Sequence, residues 1–284
     1  MCRLFGMTAA PRRVKATFWL LDAADSLERQ SVTNPDGTGL GTFARDGSPR
    51  VEKQPLAVFE DRPFAAEAKH RESTTFLAHV RHASTGARTV PNTHPFTQDG
   101  RIFAHNGVIE NLPRIDEQLG SYRDLVTGDT DSERFFALIT KQIDAHNGDV
   151  TAGLISAVRW VADQLPIFAI NLILTTATEL WALRYPAAHE LFVLERPAGH
   201  HLEHAGSSGT VRVRSADLTD APTVIVASER MDDDPRWRAL APGELLHVDA
   251  GLRIERTVIL TRPPTHPLSL SDLDAGAAAS QRSH

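Results

Sequence analysis

The chain has 284 residues, 41% of them hydrophobic and 23% charged, enough apolar material for a sizeable core in one large domain or two small ones. Its formal charge of -6 comes without a basic stripe, so nothing in the composition points to nucleic acid. A single cysteine excludes an internal disulfide and fits a cytoplasmic compartment, the start MCRLFGMTAAPRR lacks the long apolar run of a signal peptide, and no stretch reaches the roughly 18 apolar residues of a membrane helix.

Residues 2–107 read as strand-rich. CRLFGM, GLGTFA, PLAVF, TFLAHVRH and RIFAHNG are short apolar or alternating runs bounded by Gly, Pro, Asn and Asp. Helices are predicted near 14–29 and 62–71, the second with Pro63 in its first turn. Residues 111–165 read as helical. Asp131, Ser132 and Glu133 suit a helix start, Phe136, Ile139 and Ile143 recur at helical spacing, and Gly148 suits a stop. Leu154, Val158 and Val161 give the next helix its apolar face, and Pro166 ends it. Residues 167–261 return to strands: IFAINLILTT, ELWALRY, HELFVLE, TVRVR, TVIVAS, ELLHVD and LRIERTVIL. Residues 263–284, rich in Pro, Ser and Ala, read as a disordered tail, leaving 1–262 as one domain. Strands, helices, then strands is the order of an α+β layered domain with mostly antiparallel sheets.

Four groups of residues carry candidate chemistry. Cys2 follows a removable initiator Met1, so processing would put a thiol and an α-amine on one residue. The amine titrates near neutrality and can take the thiol proton directly or through a water. Read without that chemistry, Cys2 is a small buried hydrophobe. In HVRHASTG, Arg81 offers a planar fork suited to a carboxylate, or is a surface arginine at a strand end. In HNG, the Asn106 amide and the Gly107 N–H could form an oxyanion hole, although Asn-Gly by itself reads as a hairpin turn. In GDTDSE, Asp129 or Asp131 could bind an ammonium, or simply cap a helix. The stretch NPDGTGLG has no helix after it and is not a phosphate loop. No metal is expected, because His200, His201 and His204 have no carboxylate partner nearby and His79 and His82 face opposite sides of a strand.

Taken in order, Met-Cys at the start, NPDG-x-G, R-x-A-S-x-G, N-T-H-P-F, HNG and a D-x-D-S-E helix start resemble the class II glutamine amidotransferases. The resemblance covers roughly residues 1–262 and is strongest in 1–136. VIVASERMDDDPRWRALAPGELLHV resembles the closing strands of the stand-alone branch. It implies an N-terminal-nucleophile hydrolase with an αββα sandwich, two mostly antiparallel sheets between helices. It implies that Cys2 attacks the amide carbon, that Asn106 and Gly107 hold the oxyanion, that Arg81 binds the α-carboxylate with Ser84 or Thr85 touching it, and that Asp131 binds the α-ammonium. The product would be a γ-glutamyl thioester, then hydrolysed to glutamate.

His82 replaces a Trp found in some branches. The chain stops soon after the hydrolase region, so the resemblance implies a separate ammonia-accepting synthase or a larger γ-glutamyl substrate, with no cofactor, nucleic acid or membrane. Two alternatives stand beside it: a catalytically silent subunit that uses the same fold to bind a partner, and a Cys–His thiol hydrolase drawing on one of the thirteen histidines.

Overall fold

Alternation decides the first layer. In the strand Arg3–Thr8, Phe5 and Met7 point to one side and Leu4 to the other, and every residue of the strand is buried. Such a strand needs cover on both faces. The computed structural model, which describes residues 2–282 apart from 33, 35, 59, 82–86, 200–202, 206–211, 215–217 and 219, supplies that cover with four layers.

The first sheet runs Arg238–Ala239, Phe192–Arg196, Thr223–Ala227, Arg3–Thr8, Thr75–Arg81, Gly37–Phe43, Pro49–Gln54. The second runs Ile254–Val258, Glu244–Val248, Leu180–Leu183, Pro166–Thr175, Arg101–Ile109, Phe96–Gln98. All pairings along both orders are antiparallel. Leu4, Leu77, Ile102, Ala104, Ile173 and Val226 form the core between the sheets. On the outer face of the second sheet, Phe103, Leu172 and Leu174 meet Phe135, Ile139, Leu154 and Val158 from the helices Asp131–Ala145 and Val150–Gln164. On the outer face of the first sheet, Phe5, Met7 and Phe76 meet Trp19, Leu20 and Phe64. This is the αββα arrangement of an N-terminal-nucleophile hydrolase. Among the described residues no helix is long and apolar enough to cross a membrane.

Three expectations are corrected. Residues 14–29 are not one helix: Val14–Lys15 is a short strand, Phe18–Asp22 a π-helical turn and Leu27–Gln30 a single helical turn. Phe18, Trp19 and Leu20 are consecutive and all buried, which the single apolar stripe of a surface helix does not allow. The described residues of the run PLAVF, 55–58, are not a strand either. The strand is the preceding Pro49–Gln54, and Ala57 and Val58 are buried in the turn that follows it.

The third correction concerns the C-terminus, which is ordered through residue 282. His266–Pro267 pairs in parallel with the start of Pro166–Thr175, and the helix Ala275–Gln281 is capped by Asp274, which accepts the Ala277 N–H at 2.8 Å. Leu273, Ala277 and Ala278 pack on Val108, Phe168 and Ala169, apolar surface that the first sheet does not reach.

Candidate active site

The ladder between Arg3–Thr8 and Thr75–Arg81 pairs Arg3 with Val80, so one step further Cys2 meets Arg81, the last residue of its strand. Both are buried. Arg81 donates to the Ala87 carbonyl at 3.3 Å, and its own carbonyl accepts the Asp36 N–H at 3.1 Å. Burial pushes the Arg81 guanidinium down from its ordinary pKa, while the nearby charges of Cys2, Asp36 and Asp131 push it back up. Asp36, from the NPDG stretch, is itself buried and pairs with Arg88 at 2.6 Å.

The second sheet brings Asn106 to the same place. Asn106 and Gly107 do not form a turn; they lie inside the nine-residue strand Arg101–Ile109, opposite Asn171 and Ile170. The Asn106 side-chain Nδ2 donates to the Cys2 carbonyl at 3.0 Å, a bond from one sheet to the other. That nitrogen has two N–H groups, so one remains beside Cys2 for a ligand. Gly107 sits at φ 155, and a Cβ there would lie 1.8 Å from the Ala169 carbonyl oxygen. Only glycine fits so close an approach.

Asp131 is the first residue of its helix, with Thr130 as the cap: the Thr130 hydroxyl accepts the Glu133 N–H at 3.2 Å. The Asp131 carboxylate takes the Ile109 N–H at 2.9 Å and the Ser132 N–H at 2.8 Å, which ties the helix start to the strand carrying Asn106. Its Oδ1 also accepts from the Ser132 hydroxyl at 3.3 Å, while Oδ2 keeps a further lone pair for a ligand cation. Asp129, the other candidate in GDTDSE, is held by Asn92, whose side-chain oxygen takes the Asp129 N–H at 2.8 Å.

Two sets of residues escaped the sequence reading of roles. The first is a clasp. Glu133 accepts from Thr127 N–H at 3.1 Å, Thr127 Oγ1 at 2.9 Å and Gly128 N–H at 2.6 Å, and Asn92 also donates to the Ala87 carbonyl at 3.1 Å. The clasp therefore joins the 87–93 segment, which touches Arg81, to the helix start carrying Asp131. The signal was present, since Asn92 opens N-T-H-P-F and Glu133 closes D-x-D-S-E, but neither carried a role.

The second set is a group of buried histidines. His79 and His94 lie with ring centroids 4.2 Å apart, and none of their four ring nitrogens has a hydrogen-bond partner. Burial, helped by Arg81 and His105, pushes His79 down to about 3, and His94 lies well below its ordinary value for the same first reason. Burial also lowers His105, against the opposing pull of Asp131 and of the Ala169 carbonyl. His105 is engaged at both nitrogens, with Ser132 Oγ at 2.9 Å and the Ala169 carbonyl at 3.3 Å. Rings whose pKa is lowered in this way are weak bases. His82, Ser84 and Thr85 lie outside the described residues.

Cys2, Arg81, Asn106, Gly107 and Asp131 thus converge from the ends and middles of three strands and one helix start. The set offers a thiol, a planar cation, an amide donor and a carboxylate, groups complementary to a molecule with one carboxylate, one ammonium and one electrophilic carbonyl.

A model of the family "Glutamine amidotransferases class-II" matches residues 1–271. A protein of Methanocaldococcus jannaschii, MJ1515, is 29% identical over 264 residues, 87% of this chain and 68% of its own length. YafJ of Escherichia coli K12, a glutamine amidotransferase by name, is 26% identical over 261 residues, 86% of this chain and 96% of its own. The glutamine phosphoribosylpyrophosphate amidotransferase of B. subtilis, solved with ADP and GMP, superposes with a TM-score of 0.64 at 17% identity. That match covers 92% of this chain but only 50% of the amidotransferase, and it reports a shared fold.

Proposed function

The chain belongs to the class II glutamine amidotransferases, and from that membership we propose that Cys2, made N-terminal by loss of Met1, cleaves the γ-amide of glutamine or of a γ-glutamyl compound. The observation that carries the proposal is the hydrogen bond from Asn106 to Cys2 across the two sheets, with Arg81 beside Cys2 in the first. An amide donor is held against the nucleophile's own backbone before any substrate arrives, which is the pre-organisation that oxyanion stabilisation requires.

In this reading the free α-amine of Cys2 takes the thiol proton. Sγ forms a bond to the γ-carbonyl carbon, and the carbonyl oxygen becomes an oxyanion facing the spare Asn106 N–H and the Gly107 N–H. The C–N bond then breaks, the leaving nitrogen takes the proton from the amine, and ammonia departs. Water adds to the γ-glutamyl thioester, and glutamate leaves as Sγ regains a proton. Arg81 orients the α-carboxylate, with Ser84 or Thr85 as further contacts, and Asp131 orients the α-ammonium. Where the ammonia is transferred rather than released, a separate synthase would accept it.

The test is glutamate release from glutamine and a panel of γ-glutamyl amides. Cys2→Ala is expected to abolish release from every substrate with the fold intact, and an electrophilic glutamine analogue should add one group to the N-terminal peptide. Native activity in Cys2→Ala would end this reading.

A further inference from the structure

The C-terminal helix reaches the active-site end of the first sheet through one histidine. The Ser280 hydroxyl donates to the Ala277 carbonyl at 2.8 Å, so its oxygen is left to accept, and it takes the Gln281 side-chain N–H at 3.1 Å. The Gln281 amide is thereby fixed, with its oxygen 2.8 Å from His189 Nε2. An amide oxygen only accepts, so Nε2 carries the proton and Nδ1 presents a bare lone pair. Nδ1 is buried and has no hydrogen-bond partner, in a residue only 3% exposed.

His189 is held firmly. Its carbonyl accepts from Arg184 Nε at 2.8 Å and Asn171 Nδ2 at 3.3 Å, and its ring packs edge-on against Phe168 with centroids 5.4 Å apart. Asn171 faces Asn106 across the strand ladder, and Asn106 holds Cys2. The segment before Phe192 also lies at the same end of the first sheet as Cys2, because Phe192 and Phe5 both pair with Ala227. Burial lowers the His189 pKa first and Arg3 lowers it further, against the Gln281 hydrogen bond and the nearby Ala188 carbonyl. Arg3, the neighbour of Cys2, is therefore within electrostatic reach of this ring. Arg3 is engaged with Glu229 at 2.6 Å.

We propose that His189 Nδ1 accepts a hydrogen bond from the α-amine of Cys2 once Met1 is removed, and that Gln281 is the positioning residue that fixes the tautomer able to do so. The role rests on the function proposed above. An amine that serves as base must aim its lone pair at Sγ, and an acceptor that holds one N–H sets that direction. His189 suits the task because, buried and neutral, it orients the amine without competing for its proton. It also gives the ordered C-terminal helix a part in catalysis, through Gln281.

The test uses the full chain, with removal of Met1 confirmed by intact mass. The α-amine of Cys2, labelled with nitrogen-15, is titrated by NMR in the native protein, His189→Phe, His189→Asn and Gln281→Leu. An acceptor stabilises the ammonium more than the amine, so His189→Phe should lower the amine's pKa by about one unit. His189→Asn should restore it, because Asn Oδ1 falls near the place of Nδ1. In parallel, kcat should fall about tenfold in His189→Phe and recover in His189→Asn, with the acid limb of kcat/KM moving with the amine. Gln281→Leu should shift both in the same direction by less, and it carries the test if His189→Phe does not fold.

An amine pKa unchanged in folded His189→Phe and Gln281→Leu overturns the contact. A shifted pKa with native kcat overturns its catalytic role. The titration needs no substrate, so its outcome is separate from the Cys2→Ala result on which the proposed function stands.

Discussion

The tetrapeptide Ala-His-Asn-Gly occurs twice, at 104–107 and at 145–148, and folds in two ways. The first copy is extended in mid-strand, with Ala104, His105 and Asn106 buried between paired neighbours. The second copy is exposed and closes the helix Asp131–Ala145, with Asn147 at φ 56 and Gly148 at φ 87, and the Gly148 N–H returns to the Ile143 carbonyl at 2.9 Å. Its glycine does what a helix stop asks, adopting the left-handed region at no steric cost. The first glycine is needed for a different reason, the closeness of the Ala169 carbonyl. The same four residues are thus read by their flanks: an apolar strand run before one copy, a helix before the other.

Breaking the two copies should give unequal results. Gly107→Ala puts a methyl where a backbone oxygen stands, so a strand must move, and we expect about 3 kcal/mol or more of lost stability in urea unfolding. A near-native midpoint would mean that the close approach relaxes easily.

Asn106→Ala should lower kcat by roughly 10²–10³ with little change in KM, the usual loss for one oxyanion donor. Asn147→Ala, at the exposed copy, should leave kcat unchanged. A destabilised Asn106→Ala with native kcat would remove Asn106 from the chemistry and leave Gly107 as the remaining donor.

The first copy's histidine belongs to an acid-sensitive core. His79, His94 and His105 all have folded pKa values below the ordinary 6.5 because burial disfavours the charged ring. Below that pH the unfolded chain binds protons that the folded chain refuses. Stability is therefore complete above 6.5 and falls as the pH drops through it. For His79, held at about 3, the loss is ~1.4 kcal/mol per pH unit across the interval. Urea midpoints compared at pH ~7.5 and ~5.5 measure it; equal midpoints would show that burial does not depress these rings.

The smallest effect is Gly148→Ala. A Cβ there meets nothing within 4 Å, so only the left-handed backbone opposes it, at about 1 kcal/mol. A loss in Tm as large as that of Gly107→Ala would erase the distinction between the two glycines.

Much of this was legible beforehand. Most strands of the two sheets, though not Pro49–Gln54, Phe96–Gln98 or Arg238–Ala239, follow alternating or apolar runs, and the long helices follow apolar spacing with Asp131 and Gly148 at their ends. Cys2, Arg81, Asn106, Gly107 and Asp131 were legible as an ordered set of short motifs, although each alone had an ordinary structural reading. Where local pattern failed, burial was the reason. Residues 18–20 are buried on every side and 57–58 are buried without pairing, so apolarity there signalled neither helix nor strand. The C-terminal composition suggested disorder, yet Leu273, Ala277 and Ala278 cover Val108, Phe168 and Ala169, a patch that forms only when two strands of the second sheet have paired.

By itself the sequence determined the layered α+β class, the order of its elements and the residue types of the candidate site, because periodicity and turn residues act over a few positions. The tertiary structure alone decided which copy of Ala-His-Asn-Gly meets Cys2, that Asn92 and Glu133 clasp the 87–93 segment to the start of the helix Asp131–Ala145, and that Gln281 faces His189. The long-range contacts among them join residues 37 positions apart between Asn92 and Asp129, 92 between His189 and Gln281, and 104 between Cys2 and Asn106. No local rule reaches that far, since such pairs are chosen by which surfaces the packed layers leave facing each other.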